Sequence, residues 1–230
     1  MGMFQRRGYA QRRTRASDLE IGQTIKLNVN GKAWDWLVVQ QGLPSSIYDA
    51  SCDGTWLLMK DIYENRQWNS TDSNVLETST IQSYLNGDFL NLFDGNVKGA
   101  IKQVKIPYRK GGGSGGTTQQ GASGLPCKIF LLSAPEVHYE HYYIDSGEGA
   151  ALSYFASCVT NSADSKRVAY YNGSAAVWRF RSPFTVNKNG VWSGLTDGGC
   201  GSYLASLQYG VRPALILPSD FVISKEMLAA

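Results

Sequence analysis

Histidine is nearly missing from this chain, two in 230 residues, and charged residues make up only 18%. Both histidines, His138 and His141, fall in one short stretch, so a zinc centre with three converging ligands or a Ser-His-Asp relay has almost nothing to be built from. No run of about 18 apolar residues occurs, so no membrane span is expected. No apolar stretch follows the N-terminal arginines, so no secretory signal is expected either. The four cysteines, Cys52, Cys127, Cys158 and Cys200, form no Cys-x-x-Cys pair and have no neighbouring His. An even count permits two bridges, but a chain of this size needs none, and buried free thiols are the expectation. A phosphate-cradling Gly-x-x-x-x-Gly-Lys-Ser/Thr loop is absent. No cofactor and no metal are expected.

What the chain has instead is aromatic rings and glycine: 13 Tyr, 6 Trp, 8 Phe and 25 Gly. Such chains tend towards loop-rich folds that present aromatics at a surface. The formal net charge is +3, but its distribution is uneven. Arg6, Arg7, Arg12, Arg13 and Arg15 lie in the first 17 residues, where no acid occurs; the rest carries 17 basic against 19 acidic residues. A body without net positive charge argues against nucleic acid as partner. Residues 1–17 therefore read as a basic arm, either a solvated tail or a segment that orders on a partner. Residues 18–222 read as one domain and 223–230 as a short tail.

Along the chain, Thr24 to Val29 alternates and Asn30-Gly31 supplies a hairpin turn into Trp34 to Gln40. Thr55 to Ile62 is a third strand candidate, and Asn69 to Asn74 a polar loop. From Thr80 the period becomes helical through Ile81, Tyr84, Leu85, Leu92 and Phe93, with Ser79 or Thr80 as cap. Gly87 is expected to split this into two short helices, with a third helical turn at Val97 to Ile101. Val104 to Tyr108 reads as a strand, and the glycines of Lys110 to Gly124 as a long flexible surface loop. Lys128 to Leu132 is a buried strand, and Ser133 caps a turn containing Pro135 and Glu136. Ser165 to Tyr170, Val177 to Arg181, Gly190 to Ser193 and Gly210 to Leu217 complete the strands. Strands outnumber helices and no βαβ rhythm appears, which is an α+β pattern.

Five segments together resemble one family: WLLMK (Trp56 to Lys60), IQSYLNGDFLNLF (Ile81 to Phe93), FLLSAPEV (Phe130 to Val137), WRFRSP (Trp178 to Pro183) and GVRPALIL (Gly210 to Leu217). The chain resembles an uncharacterised family of gut-bacterial and prophage proteins, of the domain of unknown function 6273 type, over roughly residues 18 to 220. That family is similar in turn to C-type-lectin-like domains of the formylglycine-generating-enzyme type. Related domains serve as variable proteins of diversity-generating retroelements and as phage receptor-binding proteins. The resemblance implies a mixed sheet with short helices and long loops. It also implies a surface-facing position at Arg179, where members carry a second Trp. The reactive cysteine pair of the formylglycine-generating enzymes matches no motif around Cys158 or Cys200, so that activity is not implied. The Glu-Pro-Asn or Gln-Pro-Asp loops of calcium lectins are also missing.

Trp178 and Phe180 alternate with Arg179 and Arg181, so one pair is expected to face the core and the other not. Trp178, Arg181 and Arg212 are assigned structural roles, the arginines clamping loop carbonyls or a buried partner. The stretch Phe184 to Tyr209 mixes Tyr, Trp, Ser, Asn and Gly, the vocabulary of a binding face and also that of an ordinary irregular loop. On the first reading the ligand-binding residues are Arg179, Asn187, Asn189, Trp192, Ser193, Thr196, Asp197, Tyr203 and Tyr209. The run His138-Tyr-Glu-His141 reads as an exposed aromatic loop, and the loop from Glu136 to Tyr143 is next in line as a binding site. The acid pairs Asp145 with Glu148 and Asp49 with Asp53 would suit glycoside hydrolysis only if they faced each other across a cleft. The leading expectation is a non-enzymatic virion protein, made in the host cytoplasm, that displays a lectin-like face to a host-surface protein or glycan. Residues 1–17 would dock it on other virion proteins, and self-association into a homo-oligomer is left open. A decoration protein without receptor, and a surface-glycan hydrolase, are the alternatives.

Overall fold

A computed structural model of the protein describes residues 13–228. β1 (Thr24–Val29) and β2 (Lys32–Gln41) pair antiparallel in full register. Asn30 and Gly31 turn the chain with φ of 53° and 71°, the left-handed conformation that these two residues tolerate best. β3 (Thr55–Met59) is buried at all five positions, as a continuous apolar run predicts, and β4 (Glu64–Gln67) follows. Ser79 caps α1 (Thr80–Tyr84) by accepting from the Gln82 amide at 3.2 Å. The expected break at Gly87 does not occur. Leu85–Phe89 continues as a turn of π pitch and Leu90–Leu92 as a 3-10 turn. Ile81, Leu85, Phe89 and Phe93 are all buried at four-residue spacing, and that stripe outweighs the roughly 1 kcal/mol cost of a helical glycine.

α2 (Gly95–Ala100) leads to short pairs: β5 (Val104–Ile106) with β8 (Leu125–Cys127), and β6 (Tyr108–Lys110) with β7 (Thr117–Gln119). The glycine-rich segment between Lys110 and Gly124 is therefore no free loop. The Gly113 amide donates to Asn74 Oδ1 at 2.9 Å. A Cβ on Gly113 would lie 1.7 Å from the Asn187 carbonyl oxygen, so only glycine allows this approach. Asn74, expected in a polar loop, is buried and donates to the carbonyls of Asn187 and Gly190 at 3.0 and 2.8 Å. One buried asparagine thus fastens two loops.

The remaining strands are β9 (Ile129–Phe130), β10 (Ala169–Tyr171), β11 (Ser174–Ala176), β12 (Trp178–Pro183), β13 (Gly190–Gly194), β14 (Cys200–Leu204), β15 (Gln208–Val211) and β16 (Ala214–Leu217), before the short α3 (Lys225–Leu228). They form two open five-stranded sheets, ordered β1-β2-β3-β16-β9 and β14-β13-β12-β15-β4. The first is antiparallel; the second is mixed, since β12 and β15 run parallel. β14 and β4 were not anticipated: their sequences, CGSYL and ENRQ, lack apolar alternation because both lie at sheet edges. The molecule is mixed, mostly sheet with a few short helices, in keeping with α+β, and one hydrophobic cluster spans both sheets.

The expected single strand Gly210 to Leu217 is two strands in two sheets. Pro213 has no amide to give to a ladder, and the chain turns the corner there. Arg212 holds the corner, donating from Nε to the Met59 carbonyl at 2.9 Å with its guanidinium 4.7 Å from the Trp178 ring centroid. The first and last described segments also bond to each other. Amides of Ala16 and Ser17 donate to the carbonyls of Phe221 and Ser219, and the Ile223 amide donates to the Thr14 carbonyl. Residues 14–17 and 219–223 are thus bonded to one another, and calls on residues 1–12 lie outside the described residues.

Candidate ligand-binding cleft

The nine residues expected to form one binding face are distributed over four neighbourhoods. Arg179, expected at the surface, is fully buried, as are Ser193 and, at 4% exposure, Trp192. The Arg179 guanidinium reaches Ser193 Oγ and the carbonyls of Tyr203, Leu204 and Leu207, and lies 4.7 Å from the Tyr209 ring centroid. Burial pushes its pKa down to about 10. Tyr203 and Tyr209, partly exposed with ring centroids 4.9 Å apart, stay with this first group. Asn187 and Asn189 belong to the loop that Asn74 fastens. Thr196 and Asp197 are exposed on the β13–β14 turn, where Asp197 accepts from the Gly199 amide. Trp192 is the floor of a fourth group, described below. The strand alternation also fails as a guide, because Trp178, Arg179, Phe180 and Arg181 are all buried. An arginine inside needs carbonyls or a carboxylate rather than solvent, and β12 has neighbours supplying both.

Arg181 shapes the fourth group. Its five N–H groups reach Pro107, Leu131 and Glu148 carbonyls and both oxygens of Glu136, the latter at 2.6 and 2.7 Å. Burial alone would lower its pKa, but the adjacent Glu136 carboxylate more than reverses this and raises it. Glu136 also accepts from the Tyr48 hydroxyl at 2.9 Å and from the Ser133 amide at 2.9 Å. Ser133 Oγ accepts from the Glu136 amide in return, at 3.3 Å, a reciprocal capping box. This buried pair fixes the turn after β9 from within, so the residues that follow are presented outward.

Those residues carry the rings. His141 stacks on Tyr142 (centroids 4.3 Å, planes 26° apart) and approaches Trp192 at 5.0 Å; Tyr143 packs on Phe184 at 4.8 Å. Trp192 Nε1 donates to the Tyr143 carbonyl at 3.2 Å. Tyr142 is 78% exposed. Beside it opens a cleft of about 570 Å³, walled by Pro135, His138 to Tyr142, Ile144, Ser146, Gly149 to Ala151 and Asn161. Its size falls in the range of small-ligand sites. Arg167, fully buried, was not singled out in the sequence and organises the cleft from behind. Its guanidinium bonds the carbonyls of Val137 and His138 on one side, Val159 and Ser162 on another, and Gly198 of the Asp197 turn. No local sequence signal marks it, since its partners are backbone atoms of three separate loops.

The other chemistry considered from sequence looks different in three dimensions. Asp145 is paired with Arg109 at 2.9 Å and also accepts from the Thr118 hydroxyl. Glu148 is fully buried, and its Oε1 accepts from the Arg109 amide. A sealed carboxyl and an ion-paired one do not face each other across solvent. Burial pushes Glu148 up to about 8. Asp49 caps a 3-10 turn through the Ser51 amide, and Asp53 is exposed. All four cysteines are free, and three are buried. Burial pushes the Cys52 and Cys158 thiols up to about 11 and Cys200 up to about 12, opposite to an activated thiolate. Among the described residues no group of three His, Cys, Asp or Glu is placed to hold a metal ion, and no helix is long and apolar enough to cross a membrane.

The architecture and the cleft define a mixed-sheet domain with an aromatic-walled depression. The chain belongs to the family described as domain of unknown function (DUF6273), whose model matches residues 53–219. The match is narrower than the expected 18 to 220: the β1–β2 hairpin precedes it, although that hairpin completes the first sheet. No curated protein and no solved structure matches the chain.

Proposed function

We propose that this protein is a non-enzymatic recognition domain of a phage or prophage virion, and that it meets a host-surface molecule through the cleft beside Tyr142. The observation that carries the reading is an aromatic cluster beside a cleft from which Tyr142 stands 78% exposed. Tyr142 is held out to solvent by a turn whose inner side is locked by the Glu136–Arg181 pair. Rigid aromatic anchors at the mouth of a pre-formed pocket are where binding energy concentrates. The proposal keeps the affiliation to C-type-lectin-like variable proteins suggested by the sequence motifs, supported by a mixed-sheet body with ordered long loops. It moves the recognition face from the β12–β15 segment to the cleft. On a retroelement reading, the diversified codons would be those of exposed cleft residues, not those of buried Arg179 or Ser193.

The test is adsorption. Labelled full-length protein is expected to coat the bacterium that hosts the encoding element and to block adsorption of the corresponding phage. Tyr142→Ala, with an unchanged melting temperature, is expected to do neither. Protein that coats no cells, or a variant that coats them as well as wild type, overturns the proposal.

A further inference from the structure

We infer that the cleft is a saccharide site selective for uncharged sugars, with a pyranose face laid on Tyr142 and hydroxyls held by Glu140, Ser146 and Asn161. This rests on the recognition reading above and names the chemical class that the same site takes.

The platform comes first. The axial C–H groups of a pyranose make a flat apolar face, and burying such a face on an aromatic ring is favourable if the ring is already ordered. Among the described residues Tyr142 is the most exposed large hydrophobic at 78%, yet it is backed by His141 at 4.3 Å and flanked by Tyr143 at 3.9 Å. It therefore offers a ring that stacking would not have to immobilise.

Hydroxyls come second. A sugar's rim needs donors and acceptors, and Glu140, Ser146 and Asn161 supply a carboxylate, a hydroxyl and an amide around one depression of about 570 Å³. An extended peptide would instead require a free strand edge or an apolar groove. The lining backbone, residues 135–151, is turns, irregular backbone and one 3-10 turn, with no strand, so it offers no ladder of main-chain partners.

Charge decides the class of sugar. Among the described residues lining the cleft there is no Lys or Arg, and Glu140 is the one acid. Arg167, behind the wall, is fully buried with its guanidinium spent on five carbonyls. Among the described residues the basic groups of the lining are the imidazoles of His138 and His141, the latter stacked on Tyr142. No guanidinium or ammonium of that described lining therefore faces a phosphate, sulfate or uronate, and Glu140 repels all three.

Full-length protein applied to an array of neutral, uronic-acid, sialylated and phosphorylated oligosaccharides is expected to retain neutral structures only. Tyr142→Ala should weaken that binding at least about tenfold. Tyr142→Phe should keep it, and Tyr170→Ala, another exposed tyrosine outside the cleft, should leave it unchanged. Preferential binding of acidic glycans, equal binding by Tyr142→Ala, or no glycan bound overturns the inference. The recognition reading is separated by the cells. If wild-type protein coats them through Tyr142 but binding survives periodate and is lost to protease, the ligand is a protein and only the sugar assignment falls. If wild-type protein coats no cell, both fall.

Discussion

The segment from Ser133 to Ala151 and the segment from Trp178 to Tyr209 are built from similar residues and behave in opposite ways. Both mix aromatics with small polar residues, and each has a buried arginine beneath it. In the second segment Arg179 draws carbonyls of the β14–β15 connection down onto β12, so Trp192 and Ser193 end inside. In the first, Arg181 pairs with Glu136 and otherwise takes main-chain carbonyls, Glu148 among them, while Arg167 takes those of Val137 and His138. His141, Tyr142 and Glu140 are left facing the cleft. Composition of the kind found in binding faces is thus not sufficient to make one. Buried arginines bond loop carbonyls in both segments; what differs is where the rings end, Trp192 packed inside and Tyr142 78% exposed.

The largest expected effect tests that difference at its root. Arg181→Met leaves Glu136 buried without its counter-charge and should cost roughly 3–5 kcal/mol. Urea denaturation would measure it, and a loss below about 1 kcal/mol would mean that the pair does not hold the turn. Next in size is Trp192→Ala, a truncation inside the core that should cost about 3–5 kcal/mol. A variant melting like wild type would return Trp192 to the surface and restore the segment as a candidate face.

A smaller effect concerns Glu148, whose neutral form the buried site favours. Its pKa is near 8 when folded against 4.5 in the absence of the fold. Between these values the folded state keeps a proton that the unfolded state has released, so this group makes stability fall as pH rises, levelling off above about 8. Melting temperature scanned from pH 5 to 9 should decline more steeply for wild type than for Glu148→Gln. Parallel curves would mean that Glu148 is ionised throughout.

The smallest expected effect on stability is that of Tyr142→Ala, within about 0.5 kcal/mol, as for surface changes generally. Its loss of binding with that negligible cost is what separates the two segments. Arg179→Ala should do the reverse, lowering stability by about 1–3 kcal/mol through orphaned carbonyls while sparing the cleft.

Much of the fold was legible because it rests on local signals. Asn30-Gly31 specifies its hairpin, TWLLM can only be an interior strand, and Ser133 with Glu136 spells a capping box. The site was legible only in part. The histidine and tyrosine run from His138 to Tyr143 stood out as an aromatic loop, but ranked behind the segment after β12. The reason is that Tyr, Trp, Ser and Gly serve equally for a binding face and for packing under a sheet, and strand alternation at Trp178 to Arg181 gave no warning that all four positions are buried.

The sequence by itself determined the elements whose cause lies within a few residues: turns, caps, apolar runs, the helical stripe from Ile81 to Phe93, and membership of a family recognisable by ordered motifs. The tertiary structure alone decided where the arginines go and therefore which loops stay open. Arg167, Arg179 and Arg181 bond carbonyls and a carboxylate that lie up to 74 residues away in the chain. Backbone carbonyls are the same at every position, so no residue pattern can announce them as partners; only the folded chain brings them within reach of a guanidinium.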